Sequence, residues 1–195
     1  MTLSGKKIGV ALTGSYCTYD NVFPQIEQLV QRNNEVTTIF SDRSQITDTR
    51  FGKANDFLNK AKTITGKDPI TTIVEAEKIG PQNLFDIVII APCTGNTLAK
   101  LANAITDSPV LMAVKSQLRN NKPVVIAIAT NDALSNNLKN LGQLLWAKNV
   151  YFVPFRQDNY KTKPYSMVAH FDLMQAAMED ALEGRQLQPI VLAPL

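Results

Sequence analysis

Between Asp86 and Ala91 stand four consecutive apolar residues, Ile87-Val88-Ile89-Ile90. Successive side chains of an extended segment point to opposite faces, so this run needs apolar cover both above and below. Lys7–Leu12 and Pro123–Ala129 make the same demand, and the β-branched segment Glu35–Phe40 joins them as a further strand.

Helical patterns fill the intervals. Val22, Ile26, Leu29 and Val30 share one side of a helix over Asp20–Gln31, which Asn33-Asn34 ends. Pro24 belongs in a first turn, so that helix is expected to begin a few residues after Asp20. Phe51–Thr65 repeats Ala54, Phe57, Leu58, Ala61 and Ile64 at spacings of three and four, with Gly66 as its stop. A short helix is expected after Asn96 to about Ile105, and Ser108-Pro109 caps another that reaches about Asn120. Leu138, Leu141, Leu144 and Leu145 stripe a helix ending near Lys148, and Met167, Phe171, Met174, Met178 and Leu182 mark a final one closed by Gly184. Pro69–Val74 reads as a short strand and Val150–Val153 as the last one. Ser41–Arg50, Thr130–Asn137 and the basic, aromatic segment Pro154–Pro164 read as loops.

Alternation of this kind predicts a Rossmann-like, doubly wound three-layer α/β sandwich with a mostly parallel sheet. The 195 residues suit a single domain, 1–195, because a chain of that length hides roughly 70% of its unfolded surface. Ligands of such sheets bind at the carboxyl ends of the strands, which directs attention to 13–18, 41–50, 92–97 and 130–137.

Composition narrows the chemistry. One histidine, His170, and two cysteines, Cys17 and Cys93, leave no basis for a disulfide framework or a Cys/His metal site. The net charge of +3 is spread without a Lys/Arg run, so no nucleic-acid surface is expected. No apolar run serves as a signal-peptide core or approaches the roughly 20 residues of a membrane span, which points to the cytosol. Both cysteines read as small packing residues. His170 reads as structural or solvent-facing, beside the apolar stripe of the final helix.

Thr13-Gly14-Ser15 lies between a buried strand and a helix. It is neither a Walker A loop nor a Gly-x-Gly-x-x-Gly fingerprint. Amides, two hydroxyls and a helix N-terminus converge there, which suits a phosphate and equally a plain strand-to-helix turn. In Ala91–Asn103 small and hydroxyl-bearing residues crowd the end of the most buried strand. A flat ligand can approach such a backbone closely, and Thr94 or Asn96 can also act as a helix cap.

Ala91–Asn103 resembles the Pro-Ala-Ser-Ala-Asn-Thr region of the homo-oligomeric flavin-containing cysteine decarboxylases, a superfamily that includes phosphopantothenoylcysteine decarboxylase and the flavin prenyltransferases. Thr13-Gly14-Ser15 stands where that superfamily holds the flavin phosphate. Thr130-Asn131-Asp132-Ala133 falls at its Pro-x-Met-Asn loop, without the Pro and Met. Over nearly its whole length the chain is most similar to one branch, the B subunits of a two-subunit enzyme that makes dipicolinic acid in sporulating bacteria. Leu12–Tyr19, Thr47–Gly52, Ile73–Glu77, Ala91–Asn96, Ala102–Met112, Ala129–Leu134 and Gly184–Pro189 carry that likeness together.

The resemblance implies FMN, with Thr13, Gly14 and Ser15 at its phosphate or at another anion, and Ser41, Thr94, Asn96, Thr97 and Asn131 lining the flavin cleft. It implies a nicotinamide-binding A subunit that carries NAD(P), a cyclic dicarboxylate substrate of the lysine pathway, and a trimer-based homo-oligomer. A dianionic ring calls for a planar cation, which favours Arg50, beside Thr49 and near Arg43. Arg156, Lys161 and Lys163 on the late loop read as solvated charges. The superfamily's catalytic histidine follows the second strand, yet 41–68 contains none. That argues against a decarboxylase; a stand-alone FMN-dependent decarboxylase or flavin prenyltransferase is one alternative reading. A non-catalytic flavin-binding or scaffold partner of the A subunit is the other reading. Asp132, Asp107 and Glu75 are the carboxylates at hand, and the sequence assigns none of them a catalytic role.

Overall fold

The computed structural model describes residues 3–194. Seven strands form its sheet: β1 (Lys7–Leu12), β2 (Glu35–Phe40), β3 (Ile87–Cys93), β4 (Val124–Thr130), β5 (Val150–Phe152), β6 (Phe155–Gln157) and β7 (Met167–Ala169). The first five are parallel in the order β2-β1-β3-β4-β5. β4 divides its outer edge: Val124–Ile126 pairs with β5, and Ala129–Thr130 pairs antiparallel with β7, which β6 flanks.

Helices cover both faces, as the continuous apolar runs require. Ile8, Val10, Leu12, Ile87, Ile89 and Val125 turn toward α1 (Tyr19–Gln31), α3 (Ala54–Thr65) and α8 (Met174–Leu182). Val88, Ile90, Val124, Ile126 and Ile128 turn the other way. They meet α4 (Ile73–Glu77), α5 (Gly95–Ala102), α6 (Pro109–Arg119) and α7 (Leu138–Leu145). Every residue of β3 is buried. The order of the strands reverses between β1 and β3, and at such a switch point the diverging connections leave a crevice at the strands' carboxyl ends.

Several expectations are corrected. Pro24 sits six residues into α1, which starts at Tyr19 rather than later; Asp20, whose carbonyl receives no N–H from the proline, is exposed to water. Asp42–Ile46, expected as loop, forms α2, little more than one turn and too short to show periodicity. α3 begins at Ala54, because Thr49 and Gly52 close a tight turn first. The strand expected over Pro69–Val74 is reduced to one bridge, Ile70 to Ile39. There the Thr72 hydroxyl accepts from the Glu75 N–H at 3.2 Å while the Glu75 carboxylate accepts from the Thr72 N–H at 3.1 Å. This reciprocal cap starts α4 and overrides the β-propensity of Ile73-Val74. β5 is not the last strand. Met167 belongs to β7 and Phe171 to a 3-10 turn, so the apparent helical stripe spans three elements, with Met167 in the core beneath α4–α7 and Phe171, Met174 and Met178 in the core on the opposite face. Ile190 and Val191, in the apolar C-terminal segment, lie beside Phe155, whose N–H donates to the Ile190 carbonyl at 2.9 Å; Leu195 falls outside the described residues. Among the described residues no helix is long and apolar enough to cross a membrane.

Candidate functional site

The ends of β1, β3 and β4 are tied together by the hydroxyls of the first loop. Thr13, fully buried, donates to the Pro92 carbonyl at 2.6 Å and accepts from the Thr94 N–H at 3.0 Å. Ser15 donates to the Ala129 carbonyl at 2.6 Å, and its N–H turns back to the Thr13 carbonyl at 2.8 Å. Tyr19, whose hydroxyl burial pushes up in pKa, donates to that same carbonyl at 3.0 Å. Both loop hydroxyls therefore direct their protons to carbonyls inside the protein.

β3 reaches the crevice through a cis Ala91–Pro92 peptide and a shift of register before Cys93. Thr94 then caps α5, accepting from the Thr97 N–H at 3.3 Å, and shares a 3.1 Å hydroxyl contact with Thr97. Capping accounts for Thr94 without excluding a ligand beside it.

Two clefts flank this cap. One, of about 600 Å³, lies on the β2 side and is lined by Thr13, Gly14, Ser41, Thr97, Arg43 and Lys100 among others. The second, of about 470 Å³, lies on the β7 side, against Ser15, Cys17, Asn131, Asp132, Lys163 and Ser166. Thr94 and Asn96 line both. All eight residues expected at the cofactor thus reach the crevice, divided between its halves. Thr49 and Arg50 line neither cleft: Thr49 closes a turn with Gly52, and the Arg50 guanidinium lies 4.8 Å from the Phe51 ring centroid.

The sequence reading missed Lys100, although it lies one helical turn beyond Asn96, a spacing that puts both on one face. Lys100 pairs with Asp107 at 2.6 Å. Lys163, read as a solvated charge, lines the β7-side cleft and pairs with Asp158 at 2.8 Å, which raises its pKa. Cys17 is no packing residue: it is exposed and opens onto that cleft, whereas Cys93 is buried and its thiol is pushed up by burial. His170 is not on the final helix. It precedes the 3-10 turn before α8, where the Arg156 guanidinium donates to its Nδ1 and Asp172 lies 3.9 Å from Nε2. Arginine has only donors, so Nδ1 is the acceptor in that contact. Among the described residues no group of three His, Cys, Asp or Glu side chains is placed to hold a metal.

The flavoprotein family model matches residues 1–183. The dipicolinate synthase B subunit of Bacillus subtilis strain 168 is 51% identical over 191 residues, 98% of this chain and 96% of that one. The crystal structure of the dipicolinate synthase B subunit from Bacillus halodurans C superposes with a TM-score of 0.91 at 47% identity and covers 100% of both chains. That of Burkholderia xenovorans DmrB in complex with FMN, described as a cubic protein cage for redox transfer, gives a TM-score of 0.67 at 18% identity. It covers 92% of this chain and 96% of that one, and at this identity the likeness is one of fold.

Proposed function

The chain belongs to the flavoprotein family, on the branch of the dipicolinate synthase B subunits, and from that premise we propose that it acts as the B subunit of a dipicolinate-forming oxidoreductase. It works with a nicotinamide-binding A subunit, in the mother-cell cytosol of a sporulating bacterium, on a hydroxytetrahydro- or dihydrodipicolinate. The observation that carries this reading is the 51% identity sustained over 98% of the chain.

The β2-side cleft suits FMN by the chemistry of its lining. A Cβ on Gly14 would meet nothing nearer than the Tyr16 ring at 3.7 Å, which leaves room for a phosphate against the backbone. The Ser41 hydroxyl and the Arg43 guanidinium supply donors and charge, while Thr97 and Asn96 offer a hydroxyl and an amide to the flat ring. FMN, when bound, supplies a two-electron acceptor next to the substrate. Thr13 and Ser15, tied to the strand ends, hold that loop in shape. On the β7 side, Asn131 and Lys163 are the donors available to a dicarboxylate. Thr49 and Arg50, outside both clefts, are assigned to a substrate carboxylate held across the boundary between copies in a trimer-based homo-oligomer. Light scattering that gives a monomer removes that assignment.

Reconstitution tests the function. The A subunit with this chain is expected to form dipicolinate from the hydroxytetrahydro acid much faster than the A subunit alone; equal rates leave this chain a non-catalytic partner. The visible spectrum after loading with FMN and gel filtration tests the cofactor, and a retained flavin band is the expected outcome.

A further inference from the structure

Three carboxylates are already engaged. Asp107 pairs with Lys100 at 2.6 Å, Asp158 pairs with Lys163 at 2.8 Å, and Glu75 is taken up by the cap of α4. Asp42, at the β2-side rim, is exposed. Asp132 differs from all of these. It is half-buried, lines the β7-side cleft, and forms no ion pair among the described residues. Its oxygens accept from two neutral donors, the Thr130 hydroxyl at 2.6 Å and the Asn137 amide at 2.8 Å.

Those donors are themselves held. Asn137 and Asn140 are buried, and the Asn140 amide donates to Asn137 Oδ1 at 2.8 Å. With its oxygen occupied, Asn137 can only turn its NH₂ toward Asp132. A carboxylate has about four lone-pair sites, and two are taken here. The carboxylate is therefore locked in orientation, carries no counter-ion among the described residues, and lines a cavity of a size that holds small ligands.

We propose that Asp132 is the catalytic residue that takes and returns the proton in loss of water from a hydroxylated cyclic dicarboxylate, converting hydroxytetrahydrodipicolinate to dihydrodipicolinate. This rests on the functional reading above. The Asp132 carboxylate accepts the proton from the ring C–H beside the hydroxyl-bearing carbon, and the C–H electron pair becomes the new C=C bond. The C–O bond breaks, and the departing hydroxyl takes the proton from Asp132 to leave as water. The carboxylate is regenerated, the C–O electron pair leaves with the water oxygen, and the step is redox-neutral, so it needs no oxidant.

The test uses this chain alone, without A subunit or nicotinamide, with hydroxytetrahydrodipicolinate followed by proton NMR. The wild-type chain is expected to speed water loss above the buffer rate. Asp132→Asn is expected to lose that acceleration by about 100-fold or more, the usual contribution of a positioned acid–base group, with an unchanged far-UV dichroism spectrum. Asp132→Glu keeps the charge but displaces it by one methylene, and is expected to lose at least about tenfold. A wild-type chain no faster than buffer overturns the proposal, as does a folded Asn variant or a Glu variant at the wild-type rate. Water loss by this chain without dipicolinate formation in the reconstituted pair keeps Asp132 and rejects the two-subunit reading. Dipicolinate formation without water loss by this chain does the reverse.

Discussion

Replacing Gly95 by alanine tests how rigid the floor of the crevice is. Gly95 opens α5, and a Cβ there would stand 2.5 Å from Asp132 Oδ1, 2.5 Å from Thr130 Oγ1 and 2.7 Å from Asn137 Nδ2. Ordinary contact begins near 3.4 Å, so each atom has to retreat by roughly 0.7 to 0.9 Å. Thr130 Oγ1 and Asn137 Nδ2 are the donors of the 2.6 Å and 2.8 Å bonds to Asp132 Oδ1 and Oδ2. Bonds to a charged group contribute about 1.5–3 kcal/mol each, and alanine's better helix propensity returns less than about 1 kcal/mol. The expected net loss for Gly95→Ala is about 3 kcal/mol, or a fall in melting temperature of roughly 10 °C in a domain of this size. Gly142→Ala is the control. Gly142 lies inside α7 with no atom within 4 Å of the added carbon, so this variant is expected to be neutral or to gain up to about 1 kcal/mol. Calorimetry and urea titration of both variants give the answer. A Gly95→Ala protein that melts with the Gly142→Ala control refutes a rigid polar floor beneath α5.

Further consequences follow from the same geometry. Thr13→Val strands the Pro92 carbonyl and the Thr94 N–H in a buried place, and urea unfolding is expected to show a loss of about 2–4 kcal/mol. Thr72→Ala is expected to cost about 1 kcal/mol through the cap of α4, measured in the same way. The Thr71 N–H, with the Thr72 hydroxyl, holds the Glu75 carboxyl below its ordinary 4.5. The stability from that group is present above pH 4.5 and lost as pH falls through the lowered value, so the gap between wild type and Glu75→Gln should close in acid. A thiol reagent is expected to modify Cys17 in the folded protein and Cys93 only on unfolding; Cys17→Ser should remove the fast phase.

Long-range demands were the easier part of this sequence to read. Lys7–Leu12 and Glu35–Phe40 form strands with those same bounds, because β-rich runs between polar breaks admit little else. The loops at the strands' carboxyl ends followed, and with them the crevice that gathers Thr13, Thr94 and Asn131. Short elements were lost to competing local signals. Pro69–Val74 looks like a strand until the Thr72–Glu75 pair, visible in the sequence, is weighed against it. β6 and β7 have three residues each, too few for an alternation to register. Arg43 and Arg50 show why distance along the chain misleads. The single turn of α2 leaves Arg43 on the cleft, while the Thr49–Gly52 turn leaves Arg50 stacked on Phe51, apart from both clefts.

The divided edge of β4 bears on the order in which the chain is made. With about 150 residues released from the ribosome, β1 to β4 are present and the β2-side cleft has its walls, drawn from residues 13–111. The β7-side cavity does not exist at that stage, since Asp158, Lys163 and Ser166–Val168 complete it. Until β7 closes onto Ala129–Thr130, the last third of β4 presents an open pairing edge. A nascent chain stalled before β7 would have a place for one ligand, none for the other, and an edge free to recruit a neighbouring strand.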